Sequence, residues 1–278
     1  MRVVKTADIT EAVRRLCIEA NLSLSDDVRA AVKAVKEGST GAARAAMEDV
    51  EANMKAAAEN KIPVCQDTGM AVCFIKQGCG VSFDGSLEDA VNEGVRRGYK
   101  EGYLRKSVVK DPLFRENTGD NTPAVIHIEP ADGDVFEITV APKGFGSENM
   151  SAIKMFNPTA SEDDVVAFVK ETVSKAGSKP CPPLIIGVGV GGTFEKAALL
   201  AKKALLLPCG GENPDPRYAA LEKKMKDAVN ATGIGPMGYG GGDTCMSVRV
   251  LSYPTHIAGL PVAVNISCHV TRHKTAKL

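Results

Sequence analysis

Tryptophan is missing from this 278-residue chain, and aromatic residues supply only 5% of it. Surfaces that stack nucleic-acid bases are built on aromatic rings, so that role is disfavoured. Neither sign of charge is in excess: 34 Lys and Arg balance 34 Asp and Glu. Proteins of nucleic acid or anionic membrane surfaces usually carry a basic surplus, which is lacking here. A monomer of zero net charge is poorly soluble, so burial of surface in an oligomer is expected. No apolar run approaches the ~20 residues that cross a bilayer. The opening Met1-Arg2-Val3-Val4-Lys5-Thr6 lacks the apolar segment of a secretion signal. Eight cysteines in a chain of this length do not make a disulfide scaffold. A cytoplasmic, reduced protein with free or metal-bound thiols is expected. Repeats, low-complexity tracts and linkers are also lacking.

What is present suffices for a core: 44% of residues are apolar and 24% charged. Residues 7–60 read as three helices, the first capped by Asp8 or Thr10, the second starting at Ser25-Asp26-Asp27, the third at Ser39-Thr40. Their small side chains imply close packing. Residues 71–75 read as a short strand and 86–104 as a helix. Strands at 124–128 and 135–140 flank Pro130-Ala131-Asp132-Gly133, a hairpin signal. Further helices are expected at 161–176, 193–206 and 216–230, and strands at 184–190, 245–252 and 261–267. The expected fold class is α+β, with N-terminal helices packed on a mixed, largely antiparallel β-sheet core. One domain is expected over 1–278, helical over about 1–60 and mixed α/β over about 61–278.

Three cysteines stand beside polar or turn-forming residues: Cys65 in Pro-Val-Cys-Gln-Asp-Thr-Gly, Cys181 in Lys-Pro-Cys-Pro-Pro and Cys268 in Ser-Cys-His-Val-Thr-Arg-His. A structural cysteine normally lies inside an apolar run, as the other five are expected to do. Three separated thiols suit an iron–sulfur cluster with one unliganded iron, and an open iron is a Lewis acid. Asp67, two residues beyond Cys65, is a candidate general acid or base; the plainer reading is a turn with a solvated carboxylate. Pro182 is expected to hold Cys181 extended. Cys268 with His269 and His273 also suggests zinc, but the chain contains no Cys-x-x-Cys pair.

Glycine clusters leave further alternatives open. Residues 187–193 end a strand and open a helix, a place where backbone N–H groups meet anions. A nucleotide there would need an acid after the following strand, and the sequence offers Glu212 after a helix instead. Lys143-Gly144-Phe145-Gly146-Ser147 can bring main-chain amides to a carboxylate, or simply turn. Residues 233–242 form a loop that either approaches a cofactor or partner or only connects elements.

In order, Cys-Gln-Asp-Thr-Gly at 65–69, Leu-Arg at 104–105, Asn-Thr-Gly-Asp-Asn-Thr-Pro-Ala at 117–124, Lys-Gly-Phe-Gly-Ser at 143–147, Cys-Pro-Pro at 181–183, Gly-Gly-Thr at 191–193 and Ser-Cys at 267–268 resemble the class I, iron–sulfur fumarases and the related tartrate dehydratases. The resemblance runs from about residue 10 to the C-terminus. It implies reversible hydration of fumarate to L-malate, with dehydration of L-tartrate as the alternative activity. Cys65, Cys181 and Cys268 are similar to the ligands of a [4Fe–4S] cluster, while Gln66, Asp67, Arg105 and Gly146 match positions that meet a dicarboxylate. Since one-chain members continue into a second domain, the resemblance implies the α subunit of the two-subunit form, in an α2β2 assembly whose β subunit completes the active site. A non-catalytic metal-binding subunit is the reading from another class. Family members often continue with Asp-Arg after the third cysteine, whereas this chain has His-Val-Thr-Arg-His.

Overall fold

The computed structural model describes residues 1–278. In chain order the elements are β1 (Arg2–Val4), α1 (Thr6–Leu22), α2 (Asp26–Gly38), α3 (Gly41–Asn60), β2 (Met70–Gly78), β3 (Val81–Phe83), α4 (Leu87–Glu101), β4 (Val125–Ala131) and β5 (Phe136–Lys143). They continue with α5 (Phe145–Glu148), β6 (Ala152–Phe156), α6 (Glu162–Ala176), β7 (Leu184–Gly191), α7 (Phe194–Ala204), α8 (Pro216–Asn230), β8 (Cys245–Tyr253), β9 (Leu260–Ser267) and β10 (Lys274–Lys277). The fold is α+β with mixed sheets. No helix is long and apolar enough to cross a membrane. The chain forms two compact units, one of Met1–Leu24, Met54–Phe145 and Arg272–Leu278, the other of Ser25–Asn53 and Gly146–Thr271.

The first unit is built on a sheet of order β10-β5-β2-β4. Alternation along β2 and β5 sends Ala71, Cys73, Ile75, Phe136, Ile138 and Val140 into one core with α1 and α4. Those two helices touch closely because α4 carries glycine at the contact. A Cβ on Gly94 would lie 2.6 Å from Val13 Cβ, and one on Gly98 would lie 2.8 Å from the Arg14 carbonyl oxygen. α1 starts at Thr6, earlier than its local capping signals suggest, because Asp84 Oδ1 takes the Thr6 N–H at 2.7 Å from 78 residues away. Thr10, a candidate cap, is buried mid-helix and donates to the Ala90 carbonyl.

The expected hairpin is not formed. β4 and β5 each pair with β2, one parallel and the other antiparallel, so β2 lies between them. The turn after β4 reverses the chain as its composition requires, but it spans a whole strand. Gly78, Cys79 and Gly80 donate their N–H groups to Val135, Ala131 and Gly133 carbonyls, which seats the end of β2 in that turn. A Cβ on Gly78 would sit 2.4 Å from the Gly133 oxygen. Cys79, expected to be a packing residue, is exposed in this turn, whereas Cys17, Cys73, Cys209 and Cys245 are buried.

The second unit has a sheet of order β6-β9-β7-β8. Leu184, Ile186 and Val188 of β7 join the core made with α6 and α8. The intervening Gly187 and Gly189 lie under α7, where added Cβ atoms would meet the Ala201 and Ala197 carbonyl oxygens at 2.0 and 2.1 Å. The glycines of 187–189 are therefore accounted for by helix-on-strand packing, not by an anion. α6 begins with a reciprocal box, Ser161 Oγ taking the Asp164 N–H and Asp164 taking the Ser161 N–H. The glycine-rich loop 233–242 packs on its own unit: a Cβ on Gly238 would lie 2.6 Å from Ser178 Cβ, and Met237 N donates to the Pro182 carbonyl at 2.8 Å. That loop thus supports the segment that carries Cys181.

Candidate active site

The loop 65–69 joins α3 to β2 in the first unit and lies outside any helix or strand. Gly69 has φ +77°, and a Cβ there would lie 2.7–2.9 Å from the Lys143 main chain, so only glycine lets the loop enter β2 this way. The turn brings two N–H groups onto the Asp67 carboxylate: Gly69 N donates to Oδ1 at 3.0 Å and Phe145 N to Oδ2 at 2.9 Å. Gly144 permits this approach, since a Cβ on it would be 3.0 Å from Asp67 Oδ2. The 143–147 segment thus presents an amide to a carboxylate, and the carboxylate is the chain's own Asp67. Each carboxylate oxygen retains capacity for another donor.

Thr68, 2% exposed, fixes Arg105 to the same loop. Its Oγ1 accepts from Arg105 N at 2.8 Å and donates to the Arg105 carbonyl at 3.2 Å. Gln66 and Arg105 are exposed, Asp67 and Cys65 half-buried. Beneath them, Tyr99 Oη lies 2.9 Å from both the Thr68 and Gly69 carbonyls. Asn121, fully buried at φ +64°, donates to the Gly69 carbonyl at 3.2 Å and accepts from Ser107 N at 2.7 Å. Burial pushes the Tyr99 phenol well above its usual value, so it remains a donor at working pH. Tyr99→Phe is expected to cost about 1–2 kcal/mol, the value of a buried hydrogen bond whose acceptors stay buried. The drop in urea midpoint checks it, and an unchanged midpoint would show that the hydroxyl does not hold the loop.

Asp120 braces the loop that carries Asn121. Burial alone would raise its carboxyl. The Thr122 N–H and hydroxyl and Arg96 outweigh that, bringing it down to about 2 from its ordinary 3.8. The group is depressed in the folded state, so its stabilisation is complete above pH 4 and is lost as pH falls through 2. Between those values the melting temperature of the parent is expected to fall more steeply than that of Asp120→Asn. Parallel slopes would contradict the assignment.

In the second unit, Cys181 is exposed and Cys268 half-buried. Cys181 is not extended: its φ is +54°, in the left-handed region. Local tertiary bonds override the bias from Pro182, because Cys181 N donates to the Ser178 carbonyl at 3.0 Å and His269 Nδ1 lies 2.9 Å from the Cys181 carbonyl. Cys268 precedes a turn closed by Thr271, whose N and Oγ1 both donate to the Cys268 carbonyl, at 3.1 and 2.8 Å. Gly146 is exposed, has nothing but the Lys179 oxygen near a notional Cβ, at 3.8 Å, and is not in the left-handed region. Packing alone therefore does not demand glycine at 146.

The structure thus gathers Gln66, Asp67 and Arg105 beside Cys65, and His269 brings the Cys268 turn against the Cys181 loop. Nowhere do three Cys, His, Asp or Glu side chains converge as ligands of a single ion. A cluster poses a different demand, since each thiolate takes its own iron. The donor chemistry fits: none of the eight cysteines forms a disulfide, and these three lie on irregular segments with accessible surface. Elsewhere burial pushes Cys73 and Cys245 up to about 12, Cys209 to about 11, and Cys17 well above its usual value. Such thiols hold their protons and ligate poorly. Thr68, Tyr99 and Asn121, all buried, carry much of this geometry, and no local sequence signal marks their distant partners.

Residues 10–277 match the family model described as Fumarate hydratase (Fumerase). A Methanocaldococcus jannaschii protein named "Putative L(+)-tartrate dehydratase subunit alpha" is 38% identical over 278 residues, covering 97% of each chain. The L(+)-tartrate dehydratase subunit alpha of Escherichia coli UTI89 is 32% identical, covering 97% of this chain and 90% of its own. The protein of the same name from strain K12 is also 32% identical, covering 96% and 89%.

Proposed function

This chain belongs to the Fumarate hydratase (Fumerase) family, a family of hydro-lyases, and we propose from that membership that it is the alpha subunit of an iron–sulfur enzyme that reversibly adds water to fumarate to give L-malate. L(+)-tartrate is the second candidate substrate, favoured by the names of the three relatives. The observation that carries the reading is a single loop. In it a half-buried thiol, Cys65, precedes a carboxylate oriented by two main-chain N–H groups, and Thr68 ties Arg105 alongside.

Cys65, Cys181 and Cys268 would each hold one iron of a [4Fe–4S] cluster, leaving the fourth for substrate. When bound, the cluster supplies a Lewis acid that polarises the substrate hydroxyl. Asp67 moves a proton at the hydroxyl oxygen. Arg105 forms the bidentate contact to a substrate carboxylate, Gln66 adds a side-chain donor, and Gly146 N–H approaches closely because no side chain intervenes. In the dehydration direction the C3–H bond breaks, its proton goes to the base and its electron pair is delocalised onto the carboxylate attached to C3. That pair then forms the C2–C3 double bond as the C2–O bond breaks, and the oxygen leaves as water with a proton from Asp67. Negative charge developing on the remote carboxylate meets Arg105, Gln66 and Gly146 N–H, where fixed donors stabilise it without reorganising. The base at C3 comes from a beta subunit, the partner implied by the relatives' names, in an α2β2 assembly of the cytoplasm.

Anaerobic co-expression with a candidate beta chain, followed by assay of fumarate, mesaconate and L(+)-tartrate, tests this. The pair is expected to turn over a dicarboxylate and the isolated chain to be nearly inactive. Full turnover by the isolated chain would refute the divided site, and no turnover of any dicarboxylate by an iron-loaded pair would refute the activity.

A further inference from the structure

Resting on the cluster reading above, we infer that Arg272 and His269 are positioning residues, each fixing through a main-chain carbonyl a loop that bears another thiol. Arg272 is 7% exposed, and its Nη2 donates to the Asp67 carbonyl. It makes no ion pair, and its Nε is buried without a partner. Burying a guanidinium is costly unless it is paired, so a cation used on one neutral carbonyl, with a donor left over, is not explained by stability. Its position explains it. The carbonyl belongs to the residue that carries the candidate acid, two residues from Cys65, so the bond holds the backbone of the loop that bears that thiol.

His269 does the corresponding work within the other unit. It is 9% exposed, and its Nδ1 lies within hydrogen-bond distance of the Cys181 carbonyl, which requires the proton on that nitrogen. Cys181 adopts φ +54°, which a non-glycine residue holds only where its surroundings over-determine it. The His269 bond, the Ser178 carbonyl and Met237 N, which donates to Pro182, supply that constraint. The run that follows Cys268, in which this chain departs from the usual continuation of the proteins it resembles, therefore ties down the backbones of the other two thiol loops.

The test uses the full chain with Arg272→Gln, Arg272→Lys, His269→Ala and His269→Gln. In metal-free protein, amide hydrogen exchange is read over residues 65–69 and 178–183. In anaerobically loaded protein, iron loss to a chelator, kcat and KM are read. Arg272→Gln is expected to speed exchange at 65–69 alone and His269→Ala at 178–183 alone. Each is expected to speed iron loss about 10–100-fold, the usual effect of removing a residue that orients a ligand. Arg272→Lys and His269→Gln each keep a donor, and these two variants should recover part of the loss. Parent exchange and parent iron retention in Arg272→Gln and His269→Ala would overturn the proposal. Local loosening in a parent that never binds iron would leave these contacts standing and remove the cluster reading instead.

Discussion

Asp67→Asn is expected to lower kcat by about 10²–10⁴-fold, the range for losing a positioned general acid or base, with a much smaller change in KM. Asparagine keeps the shape and one acceptor oxygen but replaces the other by an NH2 group. That group must face either Gly69 N or Phe145 N, the two donors now satisfied by the carboxylate. One of these N–H groups then meets a donor, so the variant is also expected to lose about 0.5–1.5 kcal/mol of stability. The two effects separate cleanly: the urea midpoint reports the second, and kcat of the folded protein at saturating substrate reports the first. Parent kcat in a folded Asp67→Asn protein would confine Asp67 to a structural part.

The second large effect concerns the thiols. Serine at Cys65, Cys181 or Cys268 is expected to abolish both iron retention and turnover, because a hydroxyl does not replace the soft thiolate that iron–sulfur clusters select. Serine at Cys73, 0% exposed, places a hydroxyl in an apolar core. There it should cost about 1–3 kcal/mol and leave iron content unchanged. Iron and sulfide content with a denaturation curve for each variant checks the contrast. Iron retained in all three ligand variants, or lost in Cys73→Ser, would break it.

How far the residues alone reveal the molecule depends on the range of the forces involved. α8 spans Pro216–Asn230 as read, because its start is written locally: Pro at the first turn, with Asp215 accepting from Arg217 N. β7 is legible from its continuous apolar run. β6 and β10 are not. β10 is the four polar-leaning residues Lys274–Lys277, a strand only because β5 offers it an edge. The start of α1 and the partners of β4 and β5 escape local reading for the same reason: Asp84 and β2 are distant in sequence. In the site, the residue types of 65–69 are legible as chemistry. The bond from Thr68 to Arg105, 37 residues on, and the tyrosine beneath the loop are products of tertiary folding. Cys181 shows the limit most clearly, since the proline rule names an extended backbone and three hydrogen bonds impose a left-handed one.

On the proposed reading, three thiols of this chain leave one iron of the cluster open to substrate. Mössbauer spectra of anaerobic, 57Fe-loaded protein with its beta chain, recorded before and after adding L-malate or L(+)-tartrate, address it directly. The account predicts that a single iron site of the cluster changes its parameters on substrate addition while the others do not. Spectra that show no cluster, or a cluster with every iron unaffected by either substrate, would contradict it.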